Sequence, residues 1–451
     1  MTRPRLYVVH CVDAEGPLFE STEATFERLK EIYGLDVEPS HDLLTRLQQG
    51  SMRLGSPELE RAVAETVAPR LLESYGTWET IDAMLDRLDR PALRMALPDV
   101  TGKGWIVNWH CLAHVGFDPG KNPRRRVLGV HAVFDHYLQR YGASPADRIH
   151  WHFHPVPRTR EAHASATTYF NGPELFEVIS RRVLERRWFP CVNRPGFHAE
   201  RPDSHWFLEQ WIPFDIANNN AGRHVDQPDA AGGRFGDWRR APAEWVVYHP
   251  DHDDYQVPGR CRRAIARCLN LGGRFNRITQ SDVDDAFTRA RSESVVMAFS
   301  DHDFRDVESD VREMLDMLGD AAGRFGDVPW VYADAADAMR EALGLNGGTH
   351  ARFQVELTNK GTNTHRLDIR LDGPPFGPQP WLCYALRDGP VWYDNLDFGL
   401  DPWHWHYTFD RQTVPLGDVI RIGLATNTPA GRTTVTLIDP ETGRQESAFL
   451  N

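Results

Sequence analysis

Lysine is nearly missing from this 451-residue chain. It occurs only at positions 30, 103, 121 and 360, so almost all of the 51 positive charges are arginines. The 64 acidic residues outnumber them and leave a formal charge of −13. That balance argues against general binding to nucleic acid or to an anionic membrane. No run of about 18 apolar residues occurs, which excludes an ordinary membrane-spanning helix. The six cysteines (Cys11, Cys111, Cys191, Cys261, Cys268, Cys383) include no CxxC pair. The start, Met1–Arg5, runs at once into Leu6–Asp13, a segment too short and too polar at its end for a signal peptide. Reduced, mostly buried thiols and a cytoplasmic location are therefore expected. No internal repeat or long low-complexity tract is visible.

What is present is ordinary for a globular chain: 41% hydrophobic and 25% charged residues. At roughly 100–200 residues per domain the length predicts two or three domains. Histidine (20) and tryptophan (14) are both frequent. Imidazoles serve as metal ligands or acid/base groups, and indoles line sugar sites or simply fill cores.

Along the chain, apolar runs predict strands at 5–12, 105–109, 148–155, 189–193, 213–217, 245–249 and 295–300. Helical spacing is read at 20–33, 58–75, 77–87, 130–141, 172–187, 204–211, 280–291, 306–318 and 333–343. A basic turn is read at Asn122–Arg126 and a Gly/Arg/Pro/Asp-rich loop at 221–243. Alternating strands and helices imply βαβ units and a mainly parallel sheet or barrel. After Asn346–Thr349 the helices disappear. The segments 352–357, 366–371, 381–386, 419–425 and 432–438 alternate apolar and polar residues, which predicts an all-β, sandwich-like module over 349–451.

Three polar clusters sit at the carboxyl ends of predicted strands, where parallel sheets and barrels place active sites. In Asp13-Ala-Glu15-Gly16-Pro17 the two carboxylates stand at i and i+2 and share one side of an extended chain. One could bind a metal while the other acts as base; a plain acidic turn is the alternative. In His150-Trp151-His152-Phe153-His154-Pro155 three imidazoles at period two share a face, a natural donor set for Zn²⁺ or a similar divalent ion. A hydrogen-bonded edge strand is the alternative there. In Asp301-His302-Asp303 a histidine flanked by acids is a candidate general acid. Arg194-Pro195-Gly196 follows a strand and could hold a carboxylate base by a bidentate pair. His110 and His114, at i and i+4, compete as a metal pair, as does the loop His249–Asp254. Trp403-His-Trp-His-Tyr407 reads either as a sugar-stacking patch or as a packing strand.

The order of these clusters resembles the polysaccharide deacetylase superfamily (NodB homology, carbohydrate esterase family 4). The likeness is nearest to its WbmS-like branch, associated with surface-polysaccharide biosynthesis. The matching residues are Asp13-Ala-Glu15-Gly16, His152-Phe-His154-Pro155, Arg194-Pro195-Gly196 and Asp301-His302. They span residues 5–343 and leave the β module out. The resemblance implies a distorted (β/α) barrel over 1–345, with an inserted helical region at about 40–145, carrying one divalent ion at its mouth. The ion would be zinc first, with cobalt, nickel or manganese as alternatives.

By the same likeness Asp13 is the base, Glu15, His152 and His154 hold the metal, Arg194 orients the base and His302 protonates the leaving amine. The Asp13 and Glu15 roles could be exchanged, and His150, four residues before His154, could be a ligand in place of His152. Trp151 and Asp301 are taken as substrate contacts. The implied activity is removal of an acetyl group from an amino sugar or glycoconjugate. A carbohydrate-binding protein without catalysis and an amidohydrolase of a non-sugar substrate are the alternatives. The β module could bind glycan, hold a homo-oligomer or cover the barrel mouth.

Overall fold

The computed structural model describes residues 4–450 except 19–20, 73–74, 119–127, 163, 171, 223–235, 274 and 362. The basic turn expected at Asn122–Arg126 and most of the loop expected at 221–243 lie outside the described residues.

Seven parallel strands close into a barrel: β1 (Leu6–Ala14), β2 (Val107–Leu112), β3 (Arg148–Phe153), β4 (Val192–Pro195), β5 (Phe214–Asn218), β6 (Ala264–Asn270) and β7 (Val295–His302). They pair in chain order, and β7 returns to β1 along the whole of that strand. The other edge of β1 is shared. Leu6–Val8 pair with β8 (Trp330–Tyr332), and His10–Ala14 pair with β2.

β1 is buried on both faces, as a strand between a filled interior and an outer helical layer must be. Alternate residues Tyr7, Val9 and Cys11 meet Ala264, Ala266, Cys268, Val296 and Ala298 in the interior. These small side chains suit a narrow barrel. The intervening Val8, Val12 and Ala14 pack outward under helix Trp78–Leu88 (through Ile81, Met84, Leu85 and Leu88) and helix Val307–Arg324. Helix Ala335–Leu343, capped by Asp334 on the Asp337 amide, plugs the amino end of the barrel. Asn108 ties it in place through the Ala333 carbonyl and the Ala335 amide.

Of the 40–145 stretch, read as an insertion, Val107–Leu112 is a barrel strand and helix Ala132–Tyr141 packs on it. The added material lies between β1 and β2. Helices Thr22–Tyr33, His41–Gln48 and Pro57–Thr66, each capped by a serine side chain, share a core of their own (Phe26, Leu29, Leu47, Val63, Val67). No strand forms at 245–249; Tyr248 only bridges Ile265. Trp245 instead donates to the Asp282 carbonyl and stacks under Arg267. The strand of this region is β6, hidden in the sequence by its Ala-Ile-Ala-Arg-Cys composition, since alanine is a weak strand former and the arginine interrupts the apolar run.

The carboxyl-terminal part is antiparallel. Its strands are β9 (Phe353–Gly361), β10 (Thr364–Leu371), β11 (Trp381–Leu386), β12 (Val391–Asp394), β13 (Asp397–Phe398), β14 (His404–Phe409), β15 (Val419–Asn427), β16 (Thr433–Ile438) and β17 (Gln445–Leu450). They form sheets β13-β14-β10-β9 and β12-β11-β15-β16-β17. The sheets pack face to face through Leu367, Ile369, Tyr407 and Phe409 against Leu382, Tyr384, Ile422 and Leu424. The outer face of the larger sheet rests on helix Glu174–Arg186. There Trp381, fully buried, donates to Ser180 Oγ. Truncating such a ring costs about 3–5 kcal/mol, so this seam is a strong one. Among the described residues no helix is long and apolar enough to cross a membrane.

Candidate metal centre

The register of the barrel gathers the polar clusters. Asp13 on β1 lies level with His302 on β7 and His110 on β2, and His152 on β3 lies level with Arg194 on β4. Glu15 and His154 stand just past the ends of their strands, at the carboxyl mouth. Glu15, His152 and His154 are all buried and bring one donor atom each within 4.8 Å of one another. His152 Nε2 is 2.9 Å from His154 Nε2. Glu15 Oε1 is 3.3 Å from His154 Nε2 and 3.7 Å from His152 Nε2. Donors about 2.0–2.1 Å from a tetrahedral ion sit about 3.3 Å apart, so this spacing fits a divalent metal. The donor set of two imidazoles and one carboxylate fits it chemically. The His152 Nδ1–H donates to the Arg194 carbonyl at 2.7 Å, which turns the Nε2 lone pair toward the group.

Glu15 is fixed through its backbone. Its amide and that of Gly16 donate to the two oxygens of Asp303, each at 2.9 Å, and Tyr137 Oη–H joins one of them. His114 Nε2–H donates to the Glu15 carbonyl. Burial pushes the Asp303 carboxyl up to about 7, against the pull of those hydrogen bonds. Gly16 has φ +74°, the left-handed turn that lets the chain reverse after the ligand.

Beside the group, Arg194 Nε donates to Asp13 Oδ1 at 2.7 Å. The contact is a single bond and not the bidentate pair expected. The other guanidinium nitrogens go to the Ile216 carbonyl, Ser300 Oγ, Cys268 Sγ and His198 Nε2. Burial raises the Asp13 carboxyl, but Arg194 and then His152 and His302 outweigh it and hold it well below the usual carboxylate range. His302 Nε2 lies 3.9 Å from Asp13 Oδ2 and 3.8 Å from Glu15 Oε1. With 28% of its side chain exposed it is the member that reaches solvent. Burial lowers its pKa against the two carboxylates, which favours the neutral imidazole.

No protein-family model, curated protein or solved structure matches this chain.

Three expected site residues lie elsewhere. His150 faces inward, but two residues along a strand is about 6.6 Å. It therefore sits one layer deeper, where Nε2–H donates to Asn108 Oδ1 and Asp334 Oδ2, and it does not join the donor group. Asp301 points out of the barrel and accepts from His10 Nε2–H, whose Nδ1 accepts from Trp105. Trp151 also points outward, into the core under helix Glu174–Arg186. Both follow from the period of two, which sends neighbours of an inward residue outward. The rival pairs separate as well. His110 Nδ1–H donates to the Trp151 carbonyl, while His114 serves Glu15. His249 donates to the Arg263 carbonyl and His252 sits in an exposed turn. Tyr137, Ser300 and Cys268, which hold Asp303 and Arg194, carry no signal in the sequence, because each depends on a contact between strands or helices far apart in the chain.

Gly196 presses against the face of His154, and a Cβ built there would overlap the imidazole. Gly196→Ala is therefore expected to displace His154 and lower metal retention by about 10–100-fold, the scale seen when groups that orient ligands are altered. Metal titration of the folded variant measures this, with circular dichroism confirming the fold.

Proposed function

We propose that the chain is a divalent-metal-dependent deacetylase of an N-acetylated amino sugar, built on a barrel of the NodB-homology type. The observation that carries this reading is the donor group Glu15–His152–His154 beside a buried carboxylate, Asp13, that a guanidinium holds ionised. Zinc suits two imidazoles and a carboxylate best, with cobalt, nickel or manganese as substitutes. Lewis acidity toward an amide carbonyl and toward water is what such an ion supplies when bound.

The rest is the work of the side chains. Asp13, its Oδ1 engaged by Arg194, offers Oδ2 to take a proton from the attacking water. His302, near both carboxylates and open to solvent, is placed to relay a proton taken up during the reaction to the departing amine nitrogen. Arg194 keeps Asp13 ionised and aimed, and the buried walls of the site limit competing water. The proposed substrates are free, nucleotide-linked or lipid-linked amino sugars of a cytoplasmic biosynthetic route.

The test is a panel of N-acetyl amino sugars, acylated small amines and acetyl esters offered to the zinc-loaded protein. Release of acetate from amino sugars, lost in Asp13→Asn with metal content unchanged, is the expected result. Turnover confined to non-sugar amides or esters moves the reading to another hydrolase. Sugar binding without any turnover, unaffected by Asp13→Asn, overturns catalysis.

A further inference from the structure

Among the described residues 12 large apolar side chains are exposed, and four of them (Trp392, Phe398, Leu400 and Trp403) fall between residues 392 and 403. Singly exposed apolar residues are the usual scatter, and a third of them within one 12-residue stretch is a concentration along the chain. Phe398 is 69% exposed on the two-residue edge strand β13, and Trp403 is 43% exposed in the turn before β14. Trp403 has φ +61°, a conformation a bulky aromatic adopts only when its surroundings impose it. The turn is tight at Gly399, which lies against the His404 ring. Trp405 and Tyr407, which follow on β14, are buried in the core between the sheets.

Along the chain the charge beside these rings is acidic, and Arg370 of β10 is, among the described residues, the one cation that an ion pair brings to it. From Asp388 to Asp410 there are five aspartates and no lysine or arginine. Asp397 meets only the His406 ring, at 3.7 Å, among its described partners. Asp394 accepts from the Tyr407 hydroxyl at 2.7 Å, and Asp401 pairs with Arg370 at 3.1 Å. Aromatic faces within an acidic rim suit a cation carried on a ring with apolar C–H faces. They disfavour phosphate-bearing lipid or nucleic acid, which the carboxylates repel.

We propose that the Trp392–Trp403 edge of the carboxyl-terminal sheets is a docking surface for amine-bearing, de-N-acetylated glycan. The choice of occupant rests on the deacetylase reading, because the free amine is the product that reaction leaves on a sugar. The rings stack on sugar faces, and Asp394, Asp397 and Asp401 attract the ammonium groups. Of the proposed substrates this concerns the lipid-linked ones, which can carry several sugars: the surface retains a sugar already deacetylated while the barrel acts on the next.

Calorimetric titration of the full chain with glucosamine oligomers and with the same oligomers fully N-acetylated tests this. The amine form is expected to bind at least about tenfold more tightly, with the preference shrinking as salt is added. Trp403→Ala and Asp397→Asn should each weaken it about tenfold. Both sites are exposed and neither belongs to the barrel strands that carry the donor group, so release of acetate from a monosaccharide should not change. Equal binding of the two oligomers, no binding of either, or a salt-independent dimer abolished by Leu400→Asp would each overturn the proposal. Because the amine oligomers are supplied ready-made, binding without any acetate release contradicts only the deacetylase reading.

Discussion

His152→Ala is expected to abolish metal retention at neutral pH and to lower kcat/KM for acetate release by at least about 10³-fold, or about 4 kcal/mol of barrier. The reason is geometric. His152 supplies the donor closest to its neighbour, 2.9 Å from His154 Nε2, and its ring is set by the Arg194 carbonyl. Without it Glu15 and His154 remain as two donors, which is fewer than such sites use. Disturbing a group that merely orients a ligand already costs about 10–100-fold, so losing a donor costs more. His150→Ala is the control. That imidazole belongs to the layer of Asn108 and Asp334 and should leave metal content unchanged. Metal analysis of the two variants after identical zinc loading separates the outcomes. Equal loss in both would mean that the variants perturb the barrel and not a donor group.

The largest expected loss of stability lies away from this site. Arg263 is fully buried, with Nη1 at 3.0 Å from Glu200 Oε1 and 2.5 Å from Asp215 Oδ2, and Nη2 at 2.7 Å from Glu200 Oε2. His205 Nδ1 completes its shell at 2.8 Å. Burial and then the Glu200 charge push the Asp215 carboxyl well above its usual value, while Arg263 outweighs burial at Glu200 and holds it low. Arg263→Leu leaves two buried carboxyls without their cation, which typically costs about 3–5 kcal/mol.

The sign with pH follows from linkage. In that variant both folded carboxyls are raised above the unfolded value of about 4, so the unfolded state releases protons first. Its stability is highest below about pH 4 and falls as pH rises through the folded values. Urea unfolding across pH measures this. The triple variant Arg263→Leu, Glu200→Gln, Asp215→Asn should recover much of the loss. Failure to recover would assign the cost to lost packing.

How much of this was legible depended on which kind of spacing carried the information. The period of two along β3 put three histidines on one face, and the Asp13/Glu15 pair reads the same way from β1. Depth did not read: nothing in the string distinguishes His150, which meets Asp334 on a segment 184 residues away, from His152. Side did not read at the end of β7 either, where Asp301 turned outward to His10, because the inward partner of a DHD cluster is set by pairing with β1. The strand read at 105–109 overlaps β2, but the surrounding helical spacing placed it inside an insertion, and β6 was masked by its two alanines and its arginine. Five of the nine carboxyl-terminal strands read from their alternation, as strands with one face to a core do, while the short strands β12 and β13 and the exposed last strand β17 did not, and β14 read only as one of two alternatives.

Glu15, His152 and His154 are proposed to hold one divalent ion together. The most direct measurement is anomalous scattering at the zinc edge from crystals of the zinc-loaded protein. The expected map has a single strong peak per chain, within bonding distance of Glu15 and of both imidazoles, with Asp13 turned to Arg194 beside it. No peak at these three residues, or a peak bound elsewhere in the chain, would contradict the account.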